Sequence, residues 1–587
     1  MSELLEVAAA LRRMSDEKLQ NLITERMVNS SQLVDFFDLA EALTKPSSVS
    51  AAIAGLPISQ ARELRSLASG GTPNKKVAAD LADQMLISPT AEFRPFDSTL
   101  DALAEFSKIN PPSLNTVSIL TIDVPDSPAQ GQVDRDAGIE IFETLQAITE
   151  LIFDLEHRYV REVGRKNVGL PDLKRLANHL HKTTEYAKQI YDLANIAGVI
   201  TLADGRWQLS VGAEDWINWK PESRFTHLAK TWREILGDAS AQELKASFHH
   251  QSGVISLNQQ LKLTYPFADG SVSSKIAKLS ALAALVGLAS SGWMSSWTNN
   301  VLECKYETAG NLAAAKLPTP QRRLICQADL SLIAPGPLPT EIEITIRRFA
   351  DTEQIGMAST YRLSALSVSH GLETGLQISE IRNLLLDLSE RPLPQPIEYL
   401  LNEAQGRFGR LQIFEDGERT LLKSTDKTLL AEIINEAKLK PFSLTQLEDG
   451  EIASRFDPEV LYFGLREVGF VAVRIDEAGK VISPLSVAKQ KVDSQQLSSI
   501  ASDIRRLREQ EEKIGSSPDD NDLQRQIQLA IKNKAKATFT VTSSSGDEIE
   551  FLLEPIGIAN GRLRAKDRKA DIERTLPITS ITKVTLV

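Results

Sequence analysis

Leu324-Ile325-Cys326-Gln327-Ala328-Asp329-Leu330-Ser331-Leu332-Ile333 opens the stretch that decides the fold, Arg322 to Phe414. Ala328, Leu330 and Leu332 alternate with Gln327, Asp329 and Ser331, which predicts a strand. Ala334-Pro335-Gly336-Pro337-Leu338-Pro339 stops it, because proline donates no ladder hydrogen bond and glycine bends the chain. Helical patterns follow over Thr340–Phe349 and Ile378–Leu388, where Ile381, Leu384, Leu385 and Leu388 form an i, i+3, i+4, i+7 stripe. The stiff run Arg391-Pro392-Leu393-Pro394-Gln395-Pro396 leads into a helix over Ile397–Gln405 and a short strand, Gly409–Phe414.

CQADLSLIAPGPLP, TYRLSALSVSHGLETG and PLPQPIEYLLNEAQGRFGRLQIF, in that order, resemble the helicase-associated proteins of actinobacteria. Those proteins carry a domain related to the N-terminal region of XPB-type helicases, and a similar domain sits in the TFIIH subunit that anchors that helicase. The resemblance implies an accessory protein of DNA metabolism; it does not imply that the chain is itself a helicase.

The chain is 587 residues long, too long for a single core, so about three to five domains are expected. Apolar content of 42% and charged content of 25% are ordinary for globular proteins. A net charge of −12 argues against a uniform electrostatic coat for DNA, so nucleic-acid contact requires local basic patches. Cys304 and Cys326 have no CxxC spacing and no flanking histidines, which argues against a disulfide framework or zinc site and for a reducing cytoplasm. Met1–Glu6 lacks a signal-peptide pattern, and Ile276–Met294 reads as a buried Ala/Ser-rich helix, not a membrane span.

Residues 1 to 110 read as short packed helices. Val7, Leu11 and Met14 mark one, Ser15-Asp16-Glu17-Lys18 a capped start, and Leu33–Leu43 another. The patterns LRRMSDEKLQNLITER and LVDFFDLAEALTKPSSVSAAIAGLP resemble the same family, which implies a winged-helix character. Residues 111 to 137 form a Pro/Ser/Asp-rich linker. Within 138–212, Ile139–Tyr159 is a helix with Ile141, Leu145, Ile148, Ile152 and Leu155 on one face. Gly169–Leu180, a turn at His181-Lys182-Thr183, Thr184–Ala197 and a hairpin turning at Asp204-Gly205 then make a winged helix-turn-helix candidate. Between Glu156 and Lys188, eight Lys/Arg face four acids. Lys174, Arg175, Lys182 and Lys188 are the candidate DNA contacts there, with protein contact the alternative because Glu185 and Asp192 lie on the second helix.

Residues 213–320 are helical and marked by core tryptophans. The central domain runs over 321–485, with a glycine-capped helix at Asp457–Gly469 and a strand at Phe470–Ile475. A charged helix and linker occupy 486–521, with Ile504 and Leu507 apolar among Arg505, Arg506, Arg508 and Glu509. Residues 522–587 read as a small barrel. EPIGIANGRLRAKDRK and ITSITKVTL resemble the closing WYL-type domain, although the WYL tripeptide itself is absent. Arg562, Arg564, Lys566 and Arg568 alternate, so an extended strand projects them to one side as a second candidate DNA contact.

The expected fold class is thus multidomain α+β: helical and winged-helix N-terminal modules, a central α/β domain like the N-terminal domain of XPB-type helicases, and a WYL-like C-terminal β-barrel. No GxxxxGK[ST], HExxH or GxSxG occurs, so no catalytic residue, metal ligand or cofactor is assigned. The expected function is that of a non-enzymatic, cytoplasmic, DNA-binding accessory protein that docks an XPB-type helicase in DNA repair or transcription-linked processing. A WYL-type transcriptional regulator binding DNA and a nucleotide-like ligand, or a scaffold without DNA contact, are the alternatives.

Overall fold

The computed structural model describes residues 3–109, 128–158, 160–164, 166–203, 205–250, 254–417, 419–447, 450–482 and 499–514. Further on it describes 523, 527, 530–531, 536–542, 548–559, 561–567 and 572–586. The chain divides into two compact units, one of residues 1–118, 262–274 and 497–587, the other of residues 119–261 and 275–496. The protein is multidomain α+β.

In the first unit, short amphipathic helices follow one another from Glu3 to Ile109. Ser15 caps Asp16–Glu25 by accepting from the Lys18 amide, and Asp35 caps Phe36–Thr44 through the Phe37 and Asp38 amides. The wing expected of this module is absent among the described residues, whose only extended pairing there is a single Ile87↔Pro95 bridge. The core of Val7, Leu11, Leu19, Leu22, Leu33, Phe36 and Phe37 is completed by Ile504 and Leu507 from the helix Ser499–Ile514. A five-stranded antiparallel sheet forms the C-terminal half-barrel, with strands ordered Ile572–Pro577, Arg562–Asp567, Glu548–Ala559, Ala537–Thr542 and Ile581–Leu586. Sequence reasoning missed Ile572–Pro577, because charged Glu573 and Arg574 interrupt its apolar alternation.

The spine of the second unit is a helix over Gln130–His157, which begins inside the segment expected to be linker. The expected apolar face is present, with Ile141, Leu145, Ile148, Ile152 and Leu155 buried. The opposite face is also buried from Ala147 to Glu156, including Thr149, Glu150, Asp154 and Glu156. A helix buried on every side must give each polar group a partner. Thr149 Oγ1 accepts from Trp216 Nε1 at 3.1 Å; of the tryptophans expected in the core, Trp216, Trp232 and Trp297 are buried, whereas Trp219 and Trp293 are half-buried. Gly287 (φ 70°) lies against the spine so closely that an added Cβ would fall 2.2 Å from Ile141 Cγ1 and 2.8 Å from the Ala137 carbonyl.

The run Leu324–Ile333 is a hairpin and not one strand. Ile325–Cys326 pairs antiparallel with Ser331–Ala334 in the register Ile325↔Ile333 and Cys326↔Leu332. Leu330 takes φ 72°, and the Asp329 carboxylate accepts the Ser331 amide at 3.1 Å, reversing the chain. Ser359–Arg362 and Asp351–Gln354 extend this sheet, and helices Thr340–Phe349, Ala365–Glu373, Ile378–Leu388 and Gln395–Arg407 pack with it in one core. A second sheet follows, with Leu411–Asp416 between its antiparallel neighbour Arg419–Ser424 and the parallel strand Val473–Arg474. Helix Pro458–Val468 covers it and ends at Gly469 (φ 99°), the glycine cap expected.

Candidate nucleic-acid interface

Helices Leu170–Leu180 and Thr184–Ile196 are joined by His181-Lys182-Thr183, as read from sequence. His181 takes the left-handed conformation that ends the first helix, and the Thr183 hydroxyl accepts the Tyr186 amide to start the second. Leu173, Leu176, Leu180, Ile190, Tyr191 and Leu193 face inward. The hairpin Ile200–Ala203/Arg206–Leu209 turns at Gly205 (φ 69°), and its second strand pairs with Val160–Val163, a strand that sequence reasoning did not place.

The four cations expected here have different surroundings. Lys174 and Lys188 are exposed. Lys182 Nζ bonds Glu143 Oε2 at 2.8 Å and lies 5.6 Å from the Tyr186 ring centroid. Arg175 is committed to structure: Nε and Nη2 each reach an Asp154 oxygen at 2.9 Å, and Nη1 reaches Asp172 at 2.8 Å. Burial opposes its charge, yet these bonds hold its pKa above the ordinary arginine value. Arg206, on the hairpin, is buried and bonds Glu459 at 2.6 Å.

Sequence reasoning missed the cluster beneath the helix pair. Arg347 is 1% exposed and donates from Nη1 to Glu150 at 2.5 Å, from Nε and Nη2 to Glu343 at 2.9 and 2.6 Å, and from Nη2 to Gln146 at 2.8 Å. The second Glu150 oxygen takes His179 Nδ1 at 2.8 Å, and this bond raises the imidazole pKa against the opposing effect of burial. The His179 carbonyl accepts the Ile355 amide at 3.0 Å, closing the end of strand Asp351–Gln354. Further along the spine, Glu156 lies 3.5 Å from the fully buried His370, whose pKa is driven well below its ordinary value by burial and then by Arg466 and Arg348. Tyr462 donates to Glu373 at 2.7 Å, and Arg466 reaches both. Acids at helical spacing on the spine (Glu150, Asp154) and the i, i+4 pair Glu343/Arg347 were the available signal. Read alone, such residues look like solvated helix faces.

In the half-barrel, Arg562, Arg564 and Lys566 are exposed and alternate with buried Leu563 and Ala565. Side chains two residues apart on a strand stand about 7 Å apart, so the three form a row on one face. Arg568 lies outside the described residues. Arg564 bonds Glu573 at 2.9 Å, and Lys566 stands opposite both Glu554 and Glu573. Arg562 stands opposite Ala559 and Pro577, with no acid across either strand pair. Arg574 is directed to Asp567 at 2.9 Å, over the Phe551 ring.

Residues 324–448 match a family described as "Helicase conserved C-terminal domain". The chain is similar to the DNA 3'-5' helicase XPB of Kineococcus radiotolerans, 29% identical over 128 residues, which make up 21% of this chain and 23% of that protein. It is also similar to the DNA 3'-5' helicase XPB of Mycobacterium tuberculosis, 25% identical over 133 residues, 22% of this chain and 24% of the relative. The chain thus spans less than a quarter of the curated relatives it matches. A helicase-related domain is present. The family description names the C-terminal domain of helicases, not the N-terminal region to which the sequence resemblance pointed. Among the described residues no group of acids, histidines or cysteines has the arrangement of a metal site, and no helix is long and apolar enough to cross a membrane.

Proposed function

We propose that this protein is an accessory factor of DNA processing that binds DNA and docks an XPB-type helicase without itself catalysing a reaction. The observation that carries the reading is the helicase-related domain at 324–448, whose helix Thr340–Phe349 is joined to the spine through the buried Arg347 cluster. A helicase-like surface held rigidly on a helix-turn-helix support suits a platform for another protein. The helix pair with its hairpin is read as a winged helix, and the half-barrel as WYL-like.

DNA contact in this reading rests chiefly on the Arg562–Lys566 row. Arg175 and Arg206 are spent on internal carboxylates, leaving Lys174 and Lys188, with Lys182 partly committed, on the helix pair. The test is a titration with duplex, forked and single-stranded oligonucleotides at two salt concentrations, beside capture of a purified XPB-type helicase. Salt-dependent binding that weakens in the Arg562→Ala/Lys566→Ala variant, together with helicase capture, supports the proposal. Helicase capture without DNA binding at low salt leaves the scaffold reading. Binding to one defined duplex sequence, with no capture, favours the transcriptional regulator.

A further inference from the structure

Helix Ser499–Ile514 falls within the stretch that the sequence marks as a charged helix, and it docks into the helical N-terminal module. Ile504 and Leu507 are buried there at 2% and 0% exposure, with Ile500 packed beside them. Charged side chains flank this narrow apolar stripe, and Asp503, Arg506, Arg508 and Glu511 each reach a specific partner on the N-terminal module. The Arg508 guanidinium donates to the Arg12 carbonyl at 2.6 Å, to the Met14 carbonyl and to Asp16 Oδ1 at 3.1 Å, with its carbon 5.0 Å from the Phe36 ring centroid. Those carbonyls lie at the C-terminal end of helix Glu3–Arg13, where the helix has no amides of its own left to satisfy them. Arg506 donates to the Ser30 and Leu33 carbonyls at 3.1 and 3.3 Å. Asp503 accepts from the Ser30 hydroxyl at 2.7 Å, and Glu511 pairs with Arg12 at 2.7 Å.

We propose that the N-terminal module is a receptor for an amphipathic, arginine-bearing helix, and that Ser499–Ile514 is its exchangeable ligand within the same chain. Three features define the ligand. An apolar stripe at i, i+4 and i+7 (Ile500, Ile504, Leu507) fills the groove. Guanidinium groups at 506 and 508 cap backbone carbonyls, a fork geometry that lysine does not reproduce. Acids at 503 and 511 fix the register on Ser30 and Arg12. Exchange follows from the composition of the contact: among the described side chains of the helix, Ile504 and Leu507 are the deeply buried apolar ones, and the remaining ties are polar groups at the rim that water can replace. The seated helix fastens the chain leading to the C-terminal half-barrel onto the N-terminal module.

The test uses the full chain carrying Ile504→Ser and Leu507→Ser, which weakens the resident helix without touching the groove. A fluorescent peptide of residues 499–514 is titrated into it, into the wild-type chain, and against an Arg508→Ala version of the peptide. The proposal expects saturable binding to the altered chain, at least tenfold weaker binding to the wild type, where the resident helix competes, and at least tenfold weaker binding of the Arg508→Ala peptide. Loss of helical circular dichroism in the altered chain, restored by the peptide, supports the proposal equally. An altered chain that keeps its helical signal but binds no peptide, one whose helical signal is lost and not restored, or a wild-type chain that binds as tightly as the altered one, overturns it.

Discussion

Replacing Arg347 by methionine keeps most of the side-chain volume and removes the charge that two buried carboxylates share. Arg347 is 1% exposed, and Glu150 and Glu343 are 4% and 8% exposed, so neither acid can turn to water without moving a helix. Four hydrogen bonds to three side chains disappear together. Breaking a buried ion pair by removing one partner costs about 3–5 kcal/mol, because the surviving charge stays desolvated. At about 1.4 kcal/mol per factor of ten, the folded-to-unfolded ratio of this unit falls roughly a hundred- to several-thousand-fold. Urea unfolding followed by the fluorescence of Trp216, Trp232 and Trp297, all buried in the same unit, reads the shift in midpoint. Adding Glu150→Gln and Glu343→Gln to Arg347→Met should recover much of the loss, since no unpaired charge then remains. A loss below about 1 kcal/mol for Arg347→Met alone, with no coupling to Glu150, would mean that water reaches the cluster, and would refute the argument.

Four other outcomes follow from particular contacts. Arg562→Ala should weaken DNA binding and lower the salt slope by about one, whereas Arg564→Ala, already paired with Glu573, should do less in the same titration. The two histidines that face spine carboxylates, His179 at Glu150 and His370 at Glu156, have opposite pH signatures in stability measured across pH. His370 has a lowered pKa, so its contribution is lost as pH falls below the unfolded value of about 6.5; His179 has a raised pKa, so its contribution is complete below that value and is lost as pH rises through the folded one. Accordingly, His370→Leu should flatten the acid limb of the profile, and His179→Gln should remove the loss on the alkaline side. Gly287→Ala should destabilise by more than about 2 kcal/mol in urea unfolding, since the new methyl meets Ile141 at a positive-φ position; a change under 1 kcal/mol would refute that packing. Leu507→Ala should cost the N-terminal module about 2–5 kcal/mol, read as earlier loss of helical signal in urea.

Local chemistry made much of the fold legible. The Thr340–Phe349 and Ile378–Leu388 helices, the glycine-capped helix before Phe470 and the helix pair Leu170–Leu180/Thr184–Ile196 with its Gly205 hairpin fall where periodicity and capping residues put them. These features depend on neighbours within a few residues, and a sequence displays them directly. The alternation over Leu324–Ile333 misled, because an Asx turn at Asp329 requires only one residue in a left-handed conformation and leaves the apolar pattern intact.

What the tertiary structure decided was the fate of the charges. Glu150, Asp154, Arg175, Arg347 and Arg206 are chemically indistinguishable from surface residues along the chain, and only the packing of distant segments turns them into buried pairs. The same holds for Ser499–Ile514, whose short apolar stripe acquires meaning from helices nearly five hundred positions earlier. By itself the sequence determined most of the helices, the helicase resemblance and the supply of cations. Which cations stay exposed is settled by long-range desolvation and pairing, energies that depend on distances between segments the sequence does not order.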